Sequence, residues 1–102
     1  MDIKVGGWSE PKDATKETQW ICDQVKSQVE RTTDKKYQEF RAVKYRDQIV
    51  NGTNYLIKVR VGGPNSIHLF VYQALPCNGG YLELRGVLED KKQDDPLEHF
   101  NN

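Results

Sequence analysis

The chain has no apolar run approaching the length that crosses a bilayer, and residues 1–13 lack the apolar centre of a secretory leader. Neither a membrane role nor export is expected. Cysteine is scarce. Cys22 and Cys77 are the only two in 102 residues, too few for the disulfide lattice that holds small secreted domains together. A surplus of one charge is missing as well, since 15 basic side chains face 15 acidic ones. Nucleic acid or an anionic membrane surface is therefore not expected as the partner, because both draw on a basic excess. Apolar residues are few (36%) and charged ones many (29%), which gives a very soluble chain with one modest core. At this length there is room for one domain, residues 1–102, and no second. There are no repeats and no low-complexity tract. Rossmann, P-loop and zinc-site patterns are absent too, so no cofactor and no metal are expected.

What is present divides into three stretches. Residues 1–13 hold two glycines and a proline and read as a mobile N-terminal arm. A helix follows from near Thr15, whose hydroxyl can cap an early N–H, with Glu17 in the first turn where the dipole favours an acid. Ala14, Thr18, Ile21, Cys22, Val25 and Val29 recur at helical spacing on one side, and Trp20 falls at the border of that stripe. Thr32-Thr33-Asp34 ends it. From there the pattern alternates. Phe40 and Ala42 share one parity while Val43, Tyr45 and Ile49 share the other, a slip that predicts a bulge near Ala42-Val43. Tyr55, Ile57, Val59 and Val61 form a clean strand, ended by Gly62-Gly63-Pro64-Asn65. Another carries Ile67, Leu69 and Val71, and the last runs from Tyr81 to Glu89. One helix followed by four strands on short connections reads as α+β with an antiparallel sheet across the helix.

Arg31, Lys35, Lys36, Arg41, Lys44 and Arg46 make the middle basic, and Glu89, Asp90, Asp94, Asp95 and Glu98 make the tail acidic. These read as two solvated faces. Catalysis would need a nucleophile, a base and an orienting group, and the candidates are Cys22, Cys77, His68 and His99. Cys22 lies on the core stripe and reads as a small buried hydrophobe. His68 alternates out of phase with its apolar neighbours, which puts it on the opposite, solvated face. His99 sits in the charged tail, so only a Cys77–His68 pair is left for thiol chemistry. No enzymatic signal emerges.

Two hairpin tips remain. Gln48-Ile49-Val50-Asn51-Gly52 brings two apolar runs together at Asn-Gly, a pair that favours a type I′ turn with φ > 0 at both residues. Ile49 and Val50 are apolar where a tip normally meets water, which marks a surface made to meet another protein. Leu75-Pro76-Cys77-Asn78-Gly79-Gly80 forms the second tip.

The pentapeptide 48–52 resembles the Gln-Val-Val-Ala-Gly signature of the cystatins, inhibitors of papain-like cysteine proteases. Gly-Thr-Asn-Tyr (52–55) and Ile-Lys-Val-Arg (57–60) resemble its stefin, or type 1, branch. So do Gly6-Gly7, the segment from Thr15 to Glu30, Leu75-Pro76 and the ending from Asp94 to Phe100. The resemblance covers essentially the whole chain. It implies a cystatin-like fold, in which a curled antiparallel sheet grips one long helix, and a tight, reversible, competitive inhibitor of cathepsin-type proteases. Three segments would form a wedge that plugs the protease cleft: the arm with Val5, Gly6 and Gly7, the tip Gln48, Ile49, Val50, Asn51 and Gly52, and the pair Leu75-Pro76. Asn51 departs from the family's alanine, which puts affinity and selectivity in question, and a non-inhibitory module of the same fold is the alternative. Trp8 is larger than the residue expected there and would pin the arm to the sheet. A glycan on the Asn51-Gly52-Thr53 sequon would smother the tip, so a cytoplasmic chain is expected. A monomer is expected, with exchange of first halves between two chains left open by the apolar tip.

Overall fold

The computed structural model describes residues 7–101. Among them the chain runs β1 (Lys12–Asp13), α1 (Lys16–Thr33), β2 (Arg41–Val50), β3 (Gly52–Gly62), β4 (Asn65–Gln73), a 3-10 turn (Pro76–Asn78) and β5 (Leu82–Lys92). The strands form one antiparallel sheet in sequence order, curled across the helix. This is the expected α+β, cystatin-like architecture with one strand more, because β1 precedes the helix.

Helix α1 begins where hydroxyls can close it. The Thr15 side chain accepts from the Thr18 N–H at 3.2 Å, and the Thr18 hydroxyl accepts from the Thr15 N–H at 2.7 Å. This reciprocal box satisfies two otherwise orphaned donors and stabilises the helix by about 1 kcal/mol. Asp34, at φ 57°, closes the other end by donating its N–H to the Glu30 carbonyl. Thr18, Ile21, Cys22, Val25 and Val29 are all buried, while Trp20 is 49% exposed. The stripe packs on Tyr55, Ile57, Val59, Ile67, Leu69, Val71 and Val87. Each fully buried aliphatic side chain contributes about 1.5–3 kcal/mol.

The bulge falls where the parity slips, between Ala42 and Lys44. Gln19 of α1 braces the start of that strand. Its amide donates to the Phe40 carbonyl at 3.0 Å and its oxygen accepts from the Ala42 N–H at 2.8 Å.

Residues 8–13 do not stand free as an arm. The Ser9 N–H donates to the Asp47 carbonyl at 2.8 Å, and the Asp47 N–H donates to the Ser9 hydroxyl at 2.9 Å. Two residues of β1 then pair with Tyr45 and Lys44. A stretch poor in apolar residues can still be held by its backbone, and periodicity does not register that.

His68 does lie on the sheet face away from the helix, but that face is not solvated. The C-terminal segment crosses it, burying Leu97 with Leu56 and Phe70 and drawing in Trp8 and Phe100. Lys58, 4% exposed, donates to the carbonyls of Lys92 (3.1 Å), Gln93 (2.5 Å) and Asp95 (2.6 Å). Those three acceptors match the three protons of its ammonium group. His99 packs tilted against Trp8 and edge-on to Phe70, at 5.3 and 5.1 Å between ring centroids.

His68 is 1% exposed, and its Nε2 is buried without a hydrogen-bond partner. Burial, then the cations Lys58 and Lys91, lower its pKa from 6.5 to about 4 against the opposing pull of Asp95. Between those values the unfolded chain binds the extra proton, so stability is full above about pH 6.5 and declines as pH falls towards 4. The loss is on the order of 3 kcal/mol. Thermal unfolding from pH 7 to 4 should show that decline, and His68→Gln should flatten it. An equal slope in the variant would place the titration elsewhere.

Candidate functional site

The sheet's register gathers the two tips at one end. Val50 pairs with Gly52 and Ile49 with Thr53 across the first turn. Thr53 in turn pairs with Gln73, and Gln73 with Leu82, so the loop over 74–81 leaves from the same end. The N-terminal strand runs that way too: Lys12 sits beside Tyr45 and Trp8 beside Gln48. Gly7 is exposed next to the first tip; Val5 and Gly6 lie outside the described residues.

The first tip is not a type I′ turn. Among described residues other than glycine, only Asp34 and Asp90 have positive φ, so Asn51 turns at negative φ and Gly52, at φ 109°, takes the reversal alone. The reason lies on β4. The Tyr72 hydroxyl donates to the Asn51 carbonyl, fixing that peptide, and the same ring fills the space beside Gly52. A Cβ on Gly52 would meet the Gln73 carbonyl oxygen at 2.5 Å and the Tyr72 hydroxyl at 2.7 Å. Ile49 is 49% exposed, Asn51 is exposed and Val50 half-buried, so the tip does present apolar surface to water. Gln48 is turned to bracing: its side-chain oxygen accepts from Asn54 Nδ2 at 2.9 Å across the hairpin.

The second tip is closed by its own backbone. The Leu75 carbonyl accepts from Asn78 and Gly80 N–H groups at 2.9 and 3.0 Å, and the Ala74 N–H donates to the Tyr81 carbonyl at 2.8 Å. Leu75 is half-buried, and Pro76 and Cys77 are exposed. Tyr72, Tyr81 and Arg85 flank this loop and drew no attention in the sequence. The available signal was register, since residues just before and after a hairpin loop stand beside the next hairpin.

Chemistry of the thiol kind finds no geometry here. Cys77 is exposed at the tip, whereas His68 is buried within β4 beneath the C-terminal segment. Cys22 is buried, and burial, with Asp23 nearby, pushes its thiol pKa up to about 12. Among the described residues no group of three or more His, Cys, Asp or Glu is placed to hold a metal ion, and no helix is long and apolar enough to cross a membrane. The arrangement suits binding: two stiff tips and a flanking strand in one row.

Comparison with known proteins agrees with the resemblance in the sequence. The family model described as Cystatin domain matches residues 6–94. Cystatin-B of Oplegnathus fasciatus is 48% identical over 100 residues, covering 98% of this chain and 100% of the relative. Leukocyte cysteine proteinase inhibitor 1 of Sus scrofa is 48% identical over 99 residues, covering 97% of this chain and 96% of the relative. Cystatin-A of Homo sapiens is 47% identical over 95 residues, covering 93% and 97%.

Gly52→Ala should be severely destabilising for a tip residue. It adds a positive-φ strain to a backbone collision, together about 2–4 kcal/mol. Urea unfolding should show a lower midpoint at unchanged slope; a midpoint within error of the parent would mean the turn relaxes freely.

Proposed function

This chain belongs to the cystatin family, in its stefin (type 1) branch, and on that footing we propose that it is a reversible, tight-binding, competitive inhibitor of papain-like cysteine proteases of the cathepsin type. It is an inhibitor by descent, not an enzyme. The wedge comprises Val5, Gly6 and Gly7, the tip Gln48 to Gly52, and Leu75 with Pro76. The observation that carries the reading is the row itself: the strand leading to Gly7, the 49–53 turn and the 74–81 loop all come to one end of the sheet.

The physics favours tight docking. Both tips are braced by hydrogen bonds before any partner arrives, so they lose little entropy on binding. Ile49, Val50 and Leu75 gain from burial in a preformed cleft. A wedge that presents no peptide across the catalytic thiol is not cleaved. A cytoplasmic monomer fits this use, because the Asn51-Gly52-Thr53 sequon would carry a glycan at the tip in the secretory pathway.

Asn51 favours the second reading, a non-inhibitory module of the same fold, because an amide at the tip must give up water on docking. Titration of active papain decides between them. One equivalent of the protein should abolish cleavage of a peptide substrate; full activity at severalfold excess would leave only the non-inhibitory module.

The same assay weighs the amide itself. Since Asn51 does not use a positive φ, alanine there leaves the turn intact. Relieving an unmatched amide of roughly 1 kcal/mol gives about fivefold tighter inhibition by Asn51→Ala, through slower dissociation at an unchanged melting temperature. Weaker inhibition by the variant would mean that the amide finds a partner in the cleft and selects among proteases.

A further inference from the structure

Glycine at 52 leaves a slot, and one side chain fills it. Tyr72 lies on β4 opposite Asn54, on the same sheet face as Gly52. Its Cε1 and hydroxyl would stand 2.8 and 2.7 Å from a Cβ at 52, so the ring occupies the volume that a side chain there would take. Its hydroxyl then reaches past Gly52 to the Asn51 carbonyl, the outermost peptide of the tip.

The ring is itself held. The Arg85 guanidinium lies over it, 4.4 Å from the centroid, and Arg85 Nε donates to Glu83 Oε1 at 2.7 Å. Tyr81 meets it edge-on, with centroids 6.2 Å apart and planes at 65°. A cation over the ring and an aromatic edge contact stiffen a side chain that would otherwise swing in water. Tyr81 and Leu82 also close the 74–81 loop, through the Ala74–Tyr81 backbone bond and the Gln73–Leu82 pairing. One stack thus runs from the second loop to the first tip.

Resting on the inhibitory reading above, we propose that Tyr72 is a positioning residue for inhibition, whose hydroxyl holds the Asn51 peptide so that both tips meet a protease cleft as one rigid edge. Without that bond Asn51 and Gly52 sample other turn geometries. Only the fraction with the docking geometry binds, and apparent affinity falls by that fraction. A net neutral hydrogen bond sets the fraction at about one in five. The loss appears in association, because the bound tip is held by the protease in either protein.

The test compares the parent with Tyr72→Phe, which keeps the ring and its contacts with Arg85 and Tyr81. Stopped-flow association with active papain should slow about fivefold, with the dissociation rate unchanged. Amide exchange at Gly52 should quicken by a similar factor in the free protein, while exchange of the α1 core amides stays as in the parent. Equal association rates in parent and variant would overturn the proposal, as would a faster dissociation at unchanged association, which assigns the hydroxyl to direct protease contact. A parent that does not inhibit papain would instead sink the inhibitory reading and this role with it, distinguishable because the variant is then not needed to see it.

Discussion

Lys58 carries a charge into the outer face of the sheet, and the chain closes round it with three carbonyls from residues 92, 93 and 95. Burial, and to a lesser degree the charge of Lys91, lowers its pKa, against the opposing pull of the Asp95 and Asp94 carboxylates. Asp95 is fixed in turn, its carboxylate accepting from the Lys92 N–H at 2.7 Å and held below the usual range by that bond. The grip sets where the C-terminal segment crosses, and the segment sets the rest. Leu97 is thereby laid on Leu56 and Phe70, and its carbonyl accepts from Arg46 at 2.8 Å. His99 is carried to Trp8, and Trp8 holds the N-terminal strand beside Gln48. The alignment of Gly7 with the hairpin tips thus depends on a buried amine farther along the same sheet face.

A sheet covered on both faces also explains how a chain with so few apolar residues holds two apolar tips out in water. β3 is buried from Asn54 to Val59, with the helix over Tyr55, Ile57 and Val59 and the tail over Leu56 and Lys58. Strands anchored that firmly project a hairpin whose apex need not contribute to the core. Ile49 at 49% exposure then costs the fold little, and the free energy of covering it is left for a partner.

The elements with a local period were legible in the sequence. The stripe from Thr18 to Val29, the cap at Thr15, the bulge beside Ala42 and the alternation of β3 all appear where the pattern puts them. The two tips were legible because turn residues and misplaced apolar ones coincide there. What escaped was non-local. His68 read as solvated because alternation says which face a residue is on, not what lies over that face. The tail that covers it has no period, only Leu97 and Phe100 among charges, and its hold is Lys58 to backbone, a bond to which any sequence would contribute carbonyls. Asn51 escaped for a similar reason. Asn-Gly predicts a turn from its own two residues, whereas the geometry here is fixed by Tyr72, some twenty residues downstream.

An apolar tip next to open strand edges would invite edge-to-edge pairing, and the edges here are guarded by different means. The outer edge of β2 is shielded by Trp8, Ser9 and the two residues of β1, which occupy its free N–H and C=O groups near Gln48, Asp47, Tyr45 and Lys44. Along β5 the edge carries Glu83, Arg85, Glu89, Lys91 and Lys92, with breaks in register against β4 that bend it away from a flat template. Asp90, at φ 59°, adds a left-handed residue to the same strand. With both edges closed to strand addition, the apolar surface that the sheet exposes lies at its end, at Ile49 and Tyr81, while Trp20 stands out from the helix. Under the inhibitory reading proposed above, a protease would meet this end side chain first in its cleft, and a cleft selects for shape where a strand edge would accept any extended chain.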